Sequence, residues 1–556
     1  MASGTLGTAL SGLMAAQVGL RTSQHNISNV NTAGFRRQEV GYAAQIPEYL
    51  GAYSVGSGVS VTMVRNHYSQ FQDSQLLLDE SQLARSEAQA TTASRVDSLV
   101  GDTNSGLVSA MEAFFSATST VASDPTSNAA RQVMLASGRN LAGRFNTLSD
   151  SLDLIGNNTN LEINATVTRI NTYASQIAQV SSNIARTEGG SAQLSNDLRD
   201  QRDQLVSELN KLINVTPIQQ SDGAFNLFIA NGQPLVVGSS VATLSTVADP
   251  TAPEYLLPTL TFQGGATLTL DASMVSGGSL GGMLDVRDNV LKPAIQDLDR
   301  LALVFAAQFN TQHTSGFDKS GNPGLDFFTS AATLSPLLQP AALAENTGTQ
   351  VFSTAITNYS ELQASDYELS FDGANYTLTR LSDGASDPAA AFATINGVSQ
   401  GFTLTTGAGT PQAGDRWLIR PSAGAAASIK LNGVLQDASL IAASSTAADS
   451  PGDNGNAQLL AGLQTSTSAV NGTETYFSAY SQLVFRTATL ASEADINVSA
   501  YETLTTQSKA TQQSISGVNL DEEAANLIRF QQAYQASARA MQVATGLFED
   551  LLSAIR

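Results

Sequence analysis

Three histidines, His25, His67 and His313, are the only imidazoles in the chain. None stands in an HExxH-like spacing, so they supply no zinc-protease ligand set. Asp318-Lys319-Ser320-Gly321-Asn322 with Asp326 imitates a calcium loop, but Pro323 occupies the place where such a loop needs glycine. A turn following a helix is expected there instead. Gly277-Gly278-Ser279-Leu280-Gly281-Gly282 lacks the Lys-Ser/Thr of a phosphate loop. Gly56-Ser57-Gly58 has no third glycine opening a helix, as dinucleotide binding requires. From Asp197 to Val215 the chain reads DLRDQRDQLVSELNKLINV, an apolar seam whose charged outer face is expected to be solvated. No pair of carboxylates is marked as an acid–base couple. With no cysteine there is neither a disulfide nor a thiolate metal site. These residues define no catalytic, cofactor-binding or metal site, so the expectation is a protein that is not an enzyme and uses no cofactor.

Composition narrows the partners. At 556 residues the chain exceeds one ordinary core, and two to four domains are expected. Charged residues make up 13%, about half the ~25% usual in soluble domains. A weakly charged surface suits repeated subunit packing, because few charges are desolvated at each contact. The net charge of −21 argues against nucleic acid and against anionic membrane surfaces. No apolar run reaches the ~18 residues needed to span a bilayer. The first twenty residues carry no basic n-region, and Ser3, Thr5, Thr8, Ser11 and Gln17 interrupt any apolar stretch, so no cleavable secretory signal is expected.

Two amphipathic stripes lie at opposite ends. Leu6, Leu10, Leu13, Leu20 and Ile27 follow an alternating four-three spacing, with Gln17 and Gln24 at the remaining positions. Leu520, Ala524, Leu527, Tyr534, Ala538, Met541, Phe548, Leu552 and Ile555 do the same, interrupted by Gln531 and Thr545. A heptad-like stripe must bury its apolar side against another helix. The ends are therefore expected to pair with each other or with neighbouring copies, as in an assembly protein. After the first stripe, Asn26 to Phe35 should end the helix. There Asn29, Asn31 and Gly34 redirect the chain and Phe35 serves as an anchor.

The fold class expected is multidomain α+β, with terminal coiled-coil helices and an elongated helical-bundle body carrying inserted β-rich domains. The divisions read as 1–43, the N-terminal helix and turn; 44–215, the first part of the body with a short extended segment; and 216–275, a β-rich insert. They continue as 276–328, the middle of the body; 329–451, an outer β domain; 452–513, the last part of the body; and 514–556, the C-terminal helix. A coiled-coil-like tract from Leu148 to Ile213 carries Ile163, Val167, Ile170, Ala174, Ile177 and Ile184 in the same spacing. A bend is expected at Gly189-Gly190, and Pro217 is expected to end the tract.

Ala9-Leu10-Ser11-Gly12-Leu13 and Asn26-Ile27-Ser28-Asn29-Val30-Asn31-Thr32-Ala33-Gly34-Phe35 resemble the N-terminal signature of the bacterial flagellar rod, hook and hook-associated axial proteins. Gly56-Ser57-Gly58-Val59 with Arg65 is similar to the segment that follows it there. Ser516 to Ala524 and Phe530-Gln531-Gln532-Ala533-Tyr534-Gln535-Ala536 resemble the C-terminal half of the signature. Asp200-Gln201-Arg202-Asp203-Gln204-Leu205, Asn231 to Val236, Gly281 to Leu284 with Arg287-Asp288, and Gln308-Phe309-Asn310 through Phe328 resemble the hook–filament junction branch. The resemblance covers most of the chain outside 329–450.

It implies a structural subunit whose terminal helices pair in the inner tube of a helical polymer, with the body in the next shell and the β insert outward. The implied partners are further copies in a helical ring, the hook protein and the next junction protein. A cytoplasmic export chaperone is implied on the C-terminal stripe, Leu527, Tyr534, Met541, Phe548 and Leu552. The implied route is unfolded export through the flagellar type III apparatus to the extracellular flagellum. A hook or distal-rod subunit, and an adhesin acting through the outer β domain, are the competing readings.

Overall fold

The chain is described here from a computed structural model covering residues 2–50, 53–102, 106–188, 195–219, 225–389, 395–396, 401–467 and 472–555. The first stripe forms α1 (Ala2–Ser28). An antiparallel pair, Gln38–Ala44 with Val59–Asn66, follows it, and a small hairpin of Glu48–Leu50 and Tyr53–Val55 lies between. The body then takes α2 (Gln70–Val100), α3 (Leu107–Ser123), α4 (Asn128–Glu188) and α5 (Asn196–Asn210).

Two small antiparallel sheets come next, one of four strands across residues 216–241 and one of three across 243–269. The chain returns to helix with α6 (Gly278–Val286), a π turn at Arg287–Leu291 and α7 (Lys292–Thr314). After α8 (Ala331–Leu334), five- and three-stranded sheets occupy residues 341–419. Helices α9 (Ala425–Ser428), α10 (Gly455–Gly462), α11 (Tyr476–Ser516) and α12 (Leu520–Ile555) complete the order. The fold is mixed α+β, as the sequence leads one to expect.

Rings make the main core. Phe114 and Phe115 of α3, Phe305 and Phe309 of α7, Phe327, Phe328 and Tyr476 are all buried. Their centroids lie 4.9 Å apart for Phe327–Phe328, 5.0 Å for Phe114–Phe309 and 5.1 Å for Phe305–Tyr476, the tilted and edge-on spacings that aromatic quadrupoles favour. Gly138 lets α4 come close to this cluster, since a Cβ there would stand 2.8 Å from Phe327. A second core forms where the four-three stripe of α4, Ile163 to Ile184, meets Val206 and Leu209 of α5 and Phe225, Leu227, Leu235 and Val236 of the first sheet. The π turn widens the helix at Arg287, whose buried guanidinium donates to the Leu256 carbonyl at 2.6 Å and pairs with Asp288 at 2.8 Å.

Four local expectations need revision or fall outside view. Helix α5 stops at Asn210, before Pro217, and the Asn210 amide oxygen accepts the Val215 N–H at 3.1 Å, holding the turn that follows the helix. Pro217 lies in an edge strand that pairs on one side alone, where a missing N–H costs nothing. Residues 422–450, grouped by the sequence with the outer β domain, hold no strand; they form short helical turns, among them α9, that pack against α4 and α7. Asn146 of α4 donates to the carbonyls of Ala426, Ala427 and Ile429, and Asp299 of α7 accepts the N–H groups of Gly424 and Ala426. The part of the helical body expected over 452–513 breaks after Gly462, and α11 starts afresh on a Thr475–Ser478 capping box. Gly189-Gly190 lies outside the described residues.

Candidate assembly site at the paired termini

Helices α1 and α12 pack against each other in antiparallel register. Gly12 faces Ser537 and Gly19 faces Phe530, so the sequence rises on one helix as it falls on the other. A Cβ at Gly19 would stand 2.7 Å from the Phe530 ring, and one at Gly12 would stand 2.9 Å from Ser537 Oγ. Glycine is required at both places for the backbones to come this near. Seven residues further along each helix, Asn26, Glu523 and Ala544 are buried too. The buried line of α1 is thus Ala9, Ala15, Ala16, Gly19, Thr22, Ser23 and Asn26, all small or polar.

The expected seam residues flank this line. Leu6 and Leu10 are 41% and 42% exposed, and Leu13, Leu20 and Ile27 are half-buried. On α12, Leu527 and Met541 are half-buried, while Tyr534 and Phe548 are exposed. The side chain of Leu552 lies outside the described residues. Further exposed apolar side chains are Met14 on α1 and Ile528, Val543 and Leu547 on α12.

The helix exit is built largely from its own side chains. Asn29 sends both its backbone N–H and its amide to the His25 carbonyl, at 3.1 and 3.0 Å, and accepts from Thr32 Oγ1 at 3.1 Å. Gly34 takes φ +78°, in the left-handed region that favours glycine. Asn31 is exposed in the turn. Phe35 is half-buried and meets the His25 ring edge-on at 5.3 Å.

One residue not singled out from sequence proves central. Buried Asn26 pairs with the Gln38 backbone in both directions at 3.0 Å, imitating a strand neighbour and joining α1 to the strand that follows. Its signal was an amide on the buried side of a helix. At the same end, the Arg37 N–H donates to the Ser516 carbonyl at 2.8 Å, and its guanidinium pairs with Glu522 at 2.5 Å. The exit from α1 is thereby tied to the start of α12.

Among the described residues, no group of three His, Asp or Glu side chains is placed to hold a metal ion. No described helix is long and apolar enough to cross a membrane. A cavity of about 20 Å³ among Glu254, Lys292, Asp299, Asp366 and Arg420 has room for about one water.

Antiparallel termini, a helical body and inserted sheets define an axial-type structural subunit. Family models agree: residues 93–328 match the flagellar hook-associated protein FlgK helical domain, 342–421 the hook-associated protein 1 D2-like domain, and 511–554 the flagellar basal body rod FlgEFG protein C-terminal family. Flagellar hook-associated protein 1 of Escherichia coli K12 is 35% identical, covering 99% of this chain and 100% of that protein. The Bacillus subtilis protein of that name is 26% identical, over 99% and 97%. The solved structure of the hook junction protein FlgK from Burkholderia pseudomallei superimposes with a TM-score of 0.72 at 26% identity, covering 80% of this chain and 100% of that one. The chain belongs to the flagellar hook-associated protein 1 family, the junction proteins of the bacterial flagellum.

Proposed function

We propose that this subunit polymerises in a helical ring between hook and filament, contacting the hook protein on one side and the next junction protein on the other. The observation that carries the reading is the apolar surface left outside the α1–α12 pair. Leu6, Leu10 and Met14, with Ile528, Val543 and Leu547, remain exposed after the helices have packed. Surface of this kind is costly in water and finds cover in neighbouring copies.

In this reading the assembly seams are Leu6, Leu10, Leu13, Leu20 and Ile27 on one helix and Leu527, Tyr534, Met541, Phe548 and Leu552 on the other. The small-residue line holds the two together, and Asn29, Asn31, Gly34 and Phe35 set the exit. Residues 1–43 and 514–556 form the inner layer. The body, 44–215, 276–328 and 452–513, forms the next, and the inserts 216–275 and 329–451 lie outward. The C-terminal seam binds an export chaperone in the cytoplasm before unfolded export through the type III apparatus. The absence of cysteine and the sparse charge favour such a route. Neither nucleic acid nor membrane is a partner, in keeping with the net charge of −21.

The test is deletion of the gene followed by electron microscopy. Hooks that bear no filament are expected. Cells without hooks would instead mark a hook or rod subunit. Excising residues 342–421 should leave motility intact; loss of surface binding with motility preserved would favour the adhesin reading.

A further inference from the structure

The charged face of α5 is not merely solvated. Asp197, Asp200 and Asp203 recur at three-residue intervals, so they share one face of the helix. Each receives a donor from the segment that leaves α1, roughly 160 residues earlier in the chain. Asp197 Oδ1 accepts from Gln38 Nε2 at 2.9 Å and lies 3.1 Å from His25 Nε2. Asp200 accepts the Arg36 backbone N–H at 3.1 Å and Asn66 Nδ2 at 2.5 Å. Asp203 takes the Arg36 guanidinium, whose other nitrogen reaches Asp73 of α2 at 2.8 Å.

The socket is itself braced. Arg202 donates to Asp203 at 2.9 and 3.0 Å while its guanidinium lies 3.9 Å from the Phe225 ring centroid. Asp73 also accepts from Gln512 of α11 at 2.6 Å. Asn196 donates to the Val64 carbonyl at 2.9 Å, holding the second strand of the exit pair. The Arg36 side chain is 14% exposed, and Arg-to-carboxylate bonds at this depth are stronger and more directional than surface pairs.

We propose that Asp200 and Asp203, with Asp73, form a socket for Arg36, and that Asp197 holds the neighbouring Gln38, so that together they fix the direction in which the paired termini leave the body. Arg36 is the pin and the acids are positioning residues. In a polymer, that direction decides whether the inner helices and the body meet their neighbours together. This consequence rests on the junction reading; the socket geometry does not.

The cysteine-free chain allows the joint to be measured by paired spin labels on introduced cysteines in the full-length protein. One pair, Thr168→Cys with Ala533→Cys, reports body against termini. The other, Gln17→Cys with Ala533→Cys, reports α1 against α12. Both Arg36→Gln and the double variant Asp200→Asn with Asp203→Asn should at least double the width of the first distance distribution. The second should stay unchanged. A first distribution as narrow in both variants as in the parent overturns the proposal. So does broadening of both pairs together, or a parent distribution already as broad as the variants'. Failure of the junction reading shows elsewhere, as a parent gene that restores no filaments to a deletion strain.

Discussion

The ring of Phe530 rests on Gly19, so close that a Cβ at that glycine would stand 2.7 Å from it. This contact, with Gly12 on Ser537, sets both the spacing and the register of α1 against α12. Valine at position 19 should therefore push the helices apart, at the ~1–3 kcal/mol typical of overpacking. Gly19→Val is expected to cut the fraction of filament-bearing cells sharply in a complementation assay. Adding Phe530→Ala should recover part of the loss. A Gly19→Val strain with normal filament counts would show that the register is not needed.

Aspartate in place of Leu10 or Leu547 probes the outward surface. Both side chains are exposed in the single subunit, so the stability of the folded body should stay within the ±0.5 kcal/mol usual for surface changes. Polymerisation should fail, because a charge would be desolvated at each neighbour contact. Swarming diameter and filament counts read the outcome, and normal motility in both variants would remove these residues from the contacts with neighbouring copies.

His313 gives a prediction on acid stability. It is fully buried, with Nδ1 2.5 Å from the Leu325 carbonyl, to which it donates, and Nε2 accepting the Ala442 N–H at 3.0 Å. Both contacts suit the neutral ring, and burial lowers its pKa to about 4. A base depressed in the folded state contributes stability that is fully present above its unfolded pKa of ~6.5 and is lost as pH falls through the folded value. The body should lose on the order of 3 kcal/mol between about pH 6.5 and 4 from this residue. His313→Gln should flatten that part of a melting curve series; an unchanged slope would assign the acid sensitivity to other groups.

Asp200 acts in the opposite sense. Burial, with Asp203 and Asp197 nearby, raises its carboxyl to about 7 against the pull of Arg36. A raised acid contributes stability that is full below its unfolded pKa of ~4 and is lost as pH rises through the folded value. Melting temperatures of the parent should fall between about pH 4 and 7 from this source, and Asp200→Asn should remove that slope. The two slopes, from His313 and Asp200, are separable because each variant abolishes one of them.

How far these relations are legible in sequence differs from residue to residue. The four-three stripes disclose both terminal helices, and the Asn- and Gly-rich exit discloses the turn at Gly34. Stripe reading assigns the pairing face to leucines, whereas the buried line is alanine, glycine, serine and asparagine. Small residues bury little area each and so carry little periodic signal, yet they allow the closest backbone approach. The acids of α5 read as a solvated face because their donors lie on Arg36, Gln38 and Asn66, far away in the chain. Ile163 to Ile184 were readable because one long helix keeps its period, and their burial follows it. Residues 422–450 go with the outer β domain on sequence because alanine- and serine-rich turns have no period of their own; the carboxylate of Asp299 and the amide of Asn146 order part of them against the helical body.

The antiparallel register has a mechanical consequence. Ser28 and Leu520 lie at the same end of the helix pair, and both connect to the body there through Arg37, Ser516 and Glu522. A pull or twist delivered by the body therefore enters the two helices at one level, and no load runs from one through the other. Torque is shared between two struts anchored at a common collar, a suitable linkage where a rotating shaft hands its motion to the next segment.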